Sequence, residues 1–318
     1  MPAYPQSLAS VRDLQPQQIQ KIIEQAFRFK RDGFVANNST GVSTQQVPIV
    51  LLAFFEPSTR TRTSFEIAAH RVGIKPVTFA ADDLTSLKKG ESLHETLANL
   101  LAMKPNLLVC RHNGDARVAE MLRTSQTLWI NAGEGQGEHP TQALLDAMTV
   151  VEKFGHIKGQ RIVYSGDVAH SRVARSGLAL FEMMGAEVAV AAPTEWMPKD
   201  ADWAKTKRFG SLCEAAEWAT VCIGLRIQKE RHVNSQTRAI EPSFHARDFR
   251  LDKKNLAPLS AKAIIMHPGP FVAGEDLNEE ILNDPRCVIH DQVTNGVYIR
   301  AAVMSDMLLQ TVRVGGQS

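Results

Sequence analysis

Long hydrophobic runs are missing from this chain. The longest, Val47–Phe55, has nine residues, against the ~20 that a membrane-spanning helix needs, so no membrane association is expected. Charge of one sign is missing too. The 36 Lys and Arg against 34 Asp and Glu leave a net +2. That is too small for a general nucleic-acid binder, so an anion site has to come from local clustering. Cysteine is scarce: Cys110, Cys213, Cys222 and Cys287 form no C-x-x-C pair, and the ten histidines show no H-E-x-x-H spacing. No metal is expected, and free thiols in a reducing cytoplasm fit better than disulfides. The start, Met1-Pro2-Ala3-Tyr4-Pro5-Gln6, lacks the basic and apolar regions of a secretory signal, so none is expected. No internal repeat or low-complexity tract is visible.

What is present is a 318-residue chain with 44% hydrophobic and 22% charged residues. That is the profile of a soluble globular protein, at a length where two domains are the better expectation. Its organising stretch is Phe54–Glu66. The strand-like run Val47–Phe55 ends in Glu56-Pro57. Then come Ser58-Thr59-Arg60-Thr61-Arg62, followed by Phe65, Ala68, Ala69 and Val72 at helical spacing. A helix start offers unpaired N–H groups and the positive end of a dipole, while hydroxyls and a guanidinium fork match phosphate oxygens. A phosphate seat is one reading, and an ordinary Ser-capped helix with solvated arginines is the other. From the residues alone the two stand level.

Elsewhere the spacing predicts a helix over 16–30, with Ile19, Ile22, Ile23 and Ala26 on one face, and a strand over Val77–Ala80. A helix marked by Leu93, Leu97, Leu100 and Leu101 follows, then short strands at Leu107–Cys110 and Leu128–Asn131. The glycine-rich loop Gly133–Glu138 runs into His139-Pro140-Thr141-Gln142 and a helix with Leu144, Leu145, Met148 and Val151 inward. His139 and Gln142, three apart, can face the same way. A lone His is more often a structural hydrogen-bonder, yet its place at a helix start after a glycine-rich loop favours function. In the second half, Arg161–Ser165, Glu187–Ala191, Ala219–Leu225 and Ala263–Met266 are short apolar runs divided by stretches that include helical patterns. This alternation predicts parallel strands with crossover helices and an α/β fold, whose ligands gather at the carboxyl ends of strands. Polar clusters stand at three such ends: Gly166–Arg172, Arg226–Arg231 and His267–Pro270. The first lacks G-x-G-x-x-G, so no nucleotide cofactor is expected, nor any other cofactor. Residues 232–255 read as a long polar connection, expected to act as a mobile flap. A last helix is expected over about 297–312.

Seven motifs then stand in one order: Ser58-Thr59-Arg60-Thr61-Arg62, Lys88-Lys89-Gly90-Glu91, Arg111-His112, His139-Pro140-Thr141-Gln142, His170-Ser171-Arg172, Arg226-Ile227-Gln228-Lys229-Glu230-Arg231 and His267-Pro268-Gly269-Pro270. Over essentially its whole length the chain resembles the catalytic chains of the aspartate carbamoyltransferase family. Ser-Thr-Arg-Thr-Arg alone would indicate only the wider carbamoyltransferase superfamily, whereas Gln-Lys-Glu-Arg and His-Pro-Gly-Pro resemble the aspartate enzymes. The resemblance implies the carbamoyltransferase fold, two domains that are each a mostly parallel sheet flanked by helices. Residues 1–149, joined by a C-terminal helix at about 294–318, would bind carbamoyl phosphate, and residues 150–293 would bind L-aspartate. The implied reaction moves the carbamoyl group to the aspartate amine, as in pyrimidine biosynthesis, in the cytoplasm.

Carried over by position, Ser58, Thr59, Arg60 and Thr61 would hold the phosphate, with Arg111 also reaching that substrate. Thr61, Arg111 and His139 would face the carbonyl oxygen, while Gln142 and the backbone at Gly269 and Pro270 would meet the amino group. Arg172, Arg226 and Gln228 would bind the two aspartate carboxylates. Ser86 and Lys89 would lie on a loop that crosses into a neighbouring subunit's site. The resemblance thus implies a homotrimer with shared active sites, and admits a larger assembly with regulatory or dihydroorotase chains. One departure stands out: where many bacterial relatives carry Asn-Arg-Gly within two residues of His-Pro-Gly-Pro, this chain has Phe271-Val272-Ala273-Gly274. The alternatives are an ornithine-type carbamoyltransferase and a non-catalytic homologue. A cationic acceptor side chain is a poor match for Arg172 and Arg226, and Arg60, Lys89 and His139 are all retained.

Overall fold

The structure, a computed structural model, describes residues 5–34, 47–80, 90–228 and 244–315. The chain divides into two compact units, Met1–Met148 with Val293–Ser318, and Thr149–Gln292.

The first unit carries β1 (Ser7–Leu8), α1 (Pro16–Asp32), β2 (Ile49–Phe54), α2 (Thr59–Arg71), β3 (Lys75–Ala80), α3 (Leu93–Ala102), β4 (Leu107–His112), α4 (Ala116–Thr124) and β5 (Leu128–Glu134), and α5 (Pro140–Phe154) starts in it. Its five strands are parallel, in the order β1-β5-β4-β2-β3. In β2 every residue after Ile49 is buried, the pattern of a strand covered on both faces rather than one alternating between core and water. Leu51, Ala53, Leu108 and Cys110 pack with Leu97 of α3 and with Val118 and Leu122 of α4. α1 opens on Pro16 and buries Ile19, Ile22, Ile23 and Ala26.

The second unit has β6 (Arg161–Gly166), α6 (Arg172–Met183), β7 (Glu187–Ala191), β8 (Lys207–Phe209), α7 (Leu212–Trp218), β9 (Val221–Leu225) and β10 (Ile264–Met266), and α8 (Ile289–Gly315) starts in it. Its sheet is again parallel, ordered β10-β9-β6-β7-β8. Val163, Ala189, Cys222 and Ile265 meet Leu212, Ala215 and Ala216 of α7 in its core. Burial pushes the Cys222 thiol up to about 12 and the Cys110 thiol higher still, so both are held protonated.

Three elements have no counterpart in the sequence expectations: β1, α4 and β8. All are short, and α4 is stabilised locally by Asp115, whose side chain accepts from the N–H groups of Arg117 and Val118. The last helix begins at Ile289, well before the expected 297, with Gly296 inside it. No helix of the described residues is long and apolar enough to cross a membrane.

Candidate active site

Both sheets share one topological device. In the first, β3 lies on one side of β2 and β4 on the other, so the strand order reverses between β2 and β4. In the second, β7 and β9 flank β6 in the same way. A crevice opens at the carboxyl ends of strands where such a reversal occurs, and ligands bind there. Of the sequence-predicted residues, Ser58–Thr61 and Arg111 fall at the first of these places and Arg172, Arg226 and Gln228 at the second, while His139 and Gln142 follow β5 and Gly269 and Pro270 follow β10.

In the first unit, β2 delivers the chain to Ser58, the N-cap of α2, and Thr59, Arg60 and Thr61 form the first helical turn. Arg62 N–H donates to the Ser58 carbonyl at 3.1 Å, closing the first turn. The N–H groups before it have no acceptor within the helix. The Ser58 side chain makes no capping hydrogen bond, and no acidic residue stands in the first turn. The Ser58 hydroxyl is thus not spent on capping the helix. Thr61 is buried and Arg60 exposed.

Arg111 comes from the end of β4, in register with Phe54 of β2. Its Nε lies 3.4 Å from Glu56 Oε2, and the Phe55 N–H donates to the Arg111 carbonyl at 2.9 Å. His139 and Gln142 follow the next strand, β5, and are buried at the start of α5. The glycine-rich stretch before them is a tight turn: Gly137 N–H donates to the Glu134 carbonyl at 2.7 Å, and Gly135 N–H to the His112 carbonyl at 2.9 Å. Gly135 has φ +38°, and a Cβ there would sit 2.7 Å from the Asn113 carbonyl oxygen. Ser58–Thr61, Arg111 and His139 thus follow three adjoining strands, β2, β4 and β5.

In the second unit, Ser171 caps α6 by accepting from Ala174 N–H, and Arg172 is the first helical residue, buried. Arg226 follows β9, half-buried, with Gln228 two residues on. Asp167, fully buried at the end of β6, ties these arms together. Its Oδ1 is 2.7 Å from His170 Nδ1, its Oδ2 accepts from Gln228 N–H at 3.0 Å, and Gln228 Nε2 donates to the His170 carbonyl at 3.2 Å.

Gly269 and Pro270 follow β10. There the buried His267 places Nε2 2.8 Å from Asp276 Oδ2, while its Nδ1 accepts from Gly269 N–H at 2.9 Å. Asp276 Oδ1 also accepts from Val272 N–H at 2.8 Å. The Phe271–Gly274 segment has no arginine of its own, but Arg250 Nη1 donates to the Gly274 carbonyl at 2.8 Å.

With this geometry in view, the chain was compared with known proteins. Residues 6–152 match the family model described as aspartate/ornithine carbamoyltransferase, carbamoyl-P binding domain, and residues 158–307 match the companion Asp/Orn binding domain. The aspartate carbamoyltransferase catalytic subunit of Lactiplantibacillus plantarum is 37% identical over 95% of this chain and 94% of its own. That of Bartonella henselae is 39% identical over 83% and 81%. The chain belongs to the aspartate carbamoyltransferase family. Among solved structures, the Trypanosoma cruzi aspartate transcarbamoylase in complex with carbamoyl phosphate and aspartate superimposes with a TM-score of 0.82 at 30% identity, covering 95% of this chain and 98% of that one.

Family membership agrees with the resemblance drawn from the seven motifs. Ser86, Lys89 and Lys229–Arg231 lie outside the described residues, as does the first half of the expected flap, 232–243, while 244–255 are described and open on a 3-10 helix, Phe244–Phe249. Sequence reasoning passed over Glu56 and gave Asp167 no role. Both are acids within two residues of the end of a strand, β2 or β6, and that position was the available signal.

Proposed function

We propose that this chain transfers the carbamoyl group of carbamoyl phosphate to the amine of L-aspartate, giving N-carbamoyl-L-aspartate and phosphate, a step of pyrimidine biosynthesis. The observation that carries the reading is the start of α2, where Ser58 keeps its hydroxyl out of the helix cap at a sheet's reversal point. Ser58, Thr59, Arg60 and Thr61 hold the phosphate, and Arg111 assists. The deprotonated aspartate amine attacks the carbamoyl carbon, and phosphate leaves from the tetrahedral intermediate. Negative charge grows first on the carbonyl oxygen, facing Thr61, Arg111 and His139, and then on the departing phosphate. Fixed donors and cations therefore supply the main acceleration, each typically worth on the order of 10²–10³ in rate. Gln142 and the backbone at Gly269 and Pro270 take the carbamoyl amino group. Arg172, Arg226 and Gln228 orient the aspartate carboxylates, a large term when two substrates must meet.

The enzyme works in the cytoplasm as a homotrimer in which Lys89 serves a neighbour's site. In support, β3 is an edge strand on which Val77 is 45% exposed, and Ile67 of the adjacent α2 is 43% exposed. An apolar sheet edge of that kind calls for a covering partner. Purified chain, carbamoyl phosphate and a panel of acceptor amino acids test the activity, with carbamoyl-aspartate as the expected product. A properly folded oligomer that makes none refutes it. Sedimentation tests the trimer.

A further inference from the structure

Behind the start of α2 lies a buried polar cluster that sequence reasoning did not include, all of it within the first unit. Arg300 of α8 is buried, and its Nη1 donates to Ser64 Oγ at 2.6 Å. A guanidinium only donates, so the Ser64 proton goes elsewhere: Ser64 Oγ donates to the Thr61 carbonyl at 2.9 Å. The guanidinium carbon also stands 5.1 Å from the Phe65 ring centroid. Gly296, one turn earlier on α8, makes the room, since a Cβ there would come within 2.7 Å of Arg300 Nη1. Burial pulls the Arg300 pKa down to about 10 and the charge of Asp146 opposes that shift, so the group stays charged at neutral pH. Asp146, fully buried on α5, accepts from Gln142 Nε2 at 2.9 Å.

We propose that Asp146 is a positioning residue that fixes the direction of the Gln142 amide, so that the site selects a carbamoyl phosphate over an acyl phosphate lacking the amino group. A carboxylate only accepts, so the Gln142 NH2 must face Asp146. Its Oε1 is then the atom left to accept from the amino group of the donor substrate. A donor with methyl in place of amino would leave that buried acceptor unmet, a penalty on the order of tenfold to a hundredfold in affinity. The positive charge of Arg300, coupled electrostatically to Asp146, favours the acceptor form of that carboxyl, and Arg300 also braces Thr61 through Ser64. The inference rests on the carbamoyl-transfer reading.

The test compares carbamoyl phosphate, acetyl phosphate and inorganic phosphate as competitors for the site. In the unaltered chain carbamoyl phosphate binds better than acetyl phosphate. Asp146→Asn offers Gln142 a donor as well as an acceptor, so the amide can turn. Carbamoyl phosphate then weakens on the order of tenfold, acetyl phosphate and inorganic phosphate hold within about twofold, and the preference collapses. In a Gln142→Met background the same change moves the ratio no further. Where Asp146→Asn does not fold, Arg300→Lys, which keeps the charge but loses the fork, carries the same measurement with a smaller fall. A folded variant that keeps the original ratio, or that loses all three ligands in proportion, overturns the proposal. An unaltered chain that forms carbamoyl-aspartate yet shows no preference for carbamoyl phosphate overturns this inference alone, whereas one that forms none refutes the carbamoyl reading and this inference with it.

Discussion

In the first unit the candidate anion seat is one continuous stretch, Ser58–Thr61, at a single helix start. In the second, Arg172 and Arg226 come from the ends of two different strands, and the buried Asp167 joins their segments. Both candidate sites lie at the same kind of reversal of strand order, but the materials differ. Backbone N–H groups and hydroxyls suit a tetrahedral phosphate, which can take donors from many directions. Two separate guanidinium groups suit two carboxylates a fixed distance apart. The first seat is built by local conformation, whereas the second needs a bridge across the chain.

The largest effects should fall on the first seat. Arg60→Ala is expected to lower kcat/KM by on the order of 10³, measured as carbamoyl-aspartate formed. Lys89→Ala should be similarly inactive, yet mixing the two variants should restore part of the activity if sites are shared between subunits. No recovery in demonstrated mixed oligomers would argue for self-contained sites. Next in size is the bridge. Arg226→Ala should raise the KM for aspartate by on the order of 10², and Asp167→Ala should follow it with a smaller rise. Inorganic phosphate should compete with carbamoyl phosphate as before in both. A parallel loss of phosphate binding would erase the distinction between the two seats.

The same contrast decides what was legible in the sequence. Ser58–Arg62 could be read because its chemistry is contiguous, and Arg161–Ser165 and Glu187–Ala191 because a strand buried on both faces is an unbroken apolar run. Asp146, Asp167 and Glu56 could not be placed, because each acts on a group that only the folded chain brings near. Glu56 reaches Arg111 through the pairing of β2 with β4. The bounds of α7 were hidden by its seven-residue length, and the first turns of α8 by Gly296, whose cost in a helix is offset by the space it leaves for Arg300.

A third prediction moves from the sites to the core that holds the second one. Gly177 lies on α6, and a Cβ there would sit 1.7 Å from the Tyr164 hydroxyl oxygen of β6. Alanine is the better helix former by about 1 kcal/mol, so on propensity alone Gly177→Ala would stabilise. The phenol is fully buried and rigid, however, and overpacking of this kind typically costs about 1–3 kcal/mol or more. A contact this close belongs at the upper end of that range, so the clash wins. Denaturant unfolding should show a net loss of about 2 kcal/mol, and an unchanged or raised midpoint would mean that the sheet and helix can separate at this point.

The smallest effect concerns acid. Asp284 bonds Arg286 at 2.8 Å, and Arg286 in turn donates to the Leu259 carbonyl at 2.7 Å. The side-chain hydrogen bond from Arg286 holds the Asp284 carboxyl below its ordinary value. A carboxylate with a depressed folded-state pKa contributes stability that is present above its unfolded value, near 4, and is lost as pH falls through the folded value. Asp115 in the first unit is depressed as well, but chiefly by the backbone N–H of Val118. Added salt should therefore weaken the Asp284 contribution, which is an ion pair, more than the Asp115 cap, which is a hydrogen bond to a neutral group. Asp284→Asn should cost no more than about 1 kcal/mol near neutral pH, because solvent screens the pair, and the deficit should begin to shrink as pH falls below the unfolded value near 4. Urea midpoints for the chain and this variant, taken from pH 7 to pH 3 at low and high salt, measure it. A deficit that persists unchanged in acid would mean that Asp284 acts through packing rather than charge.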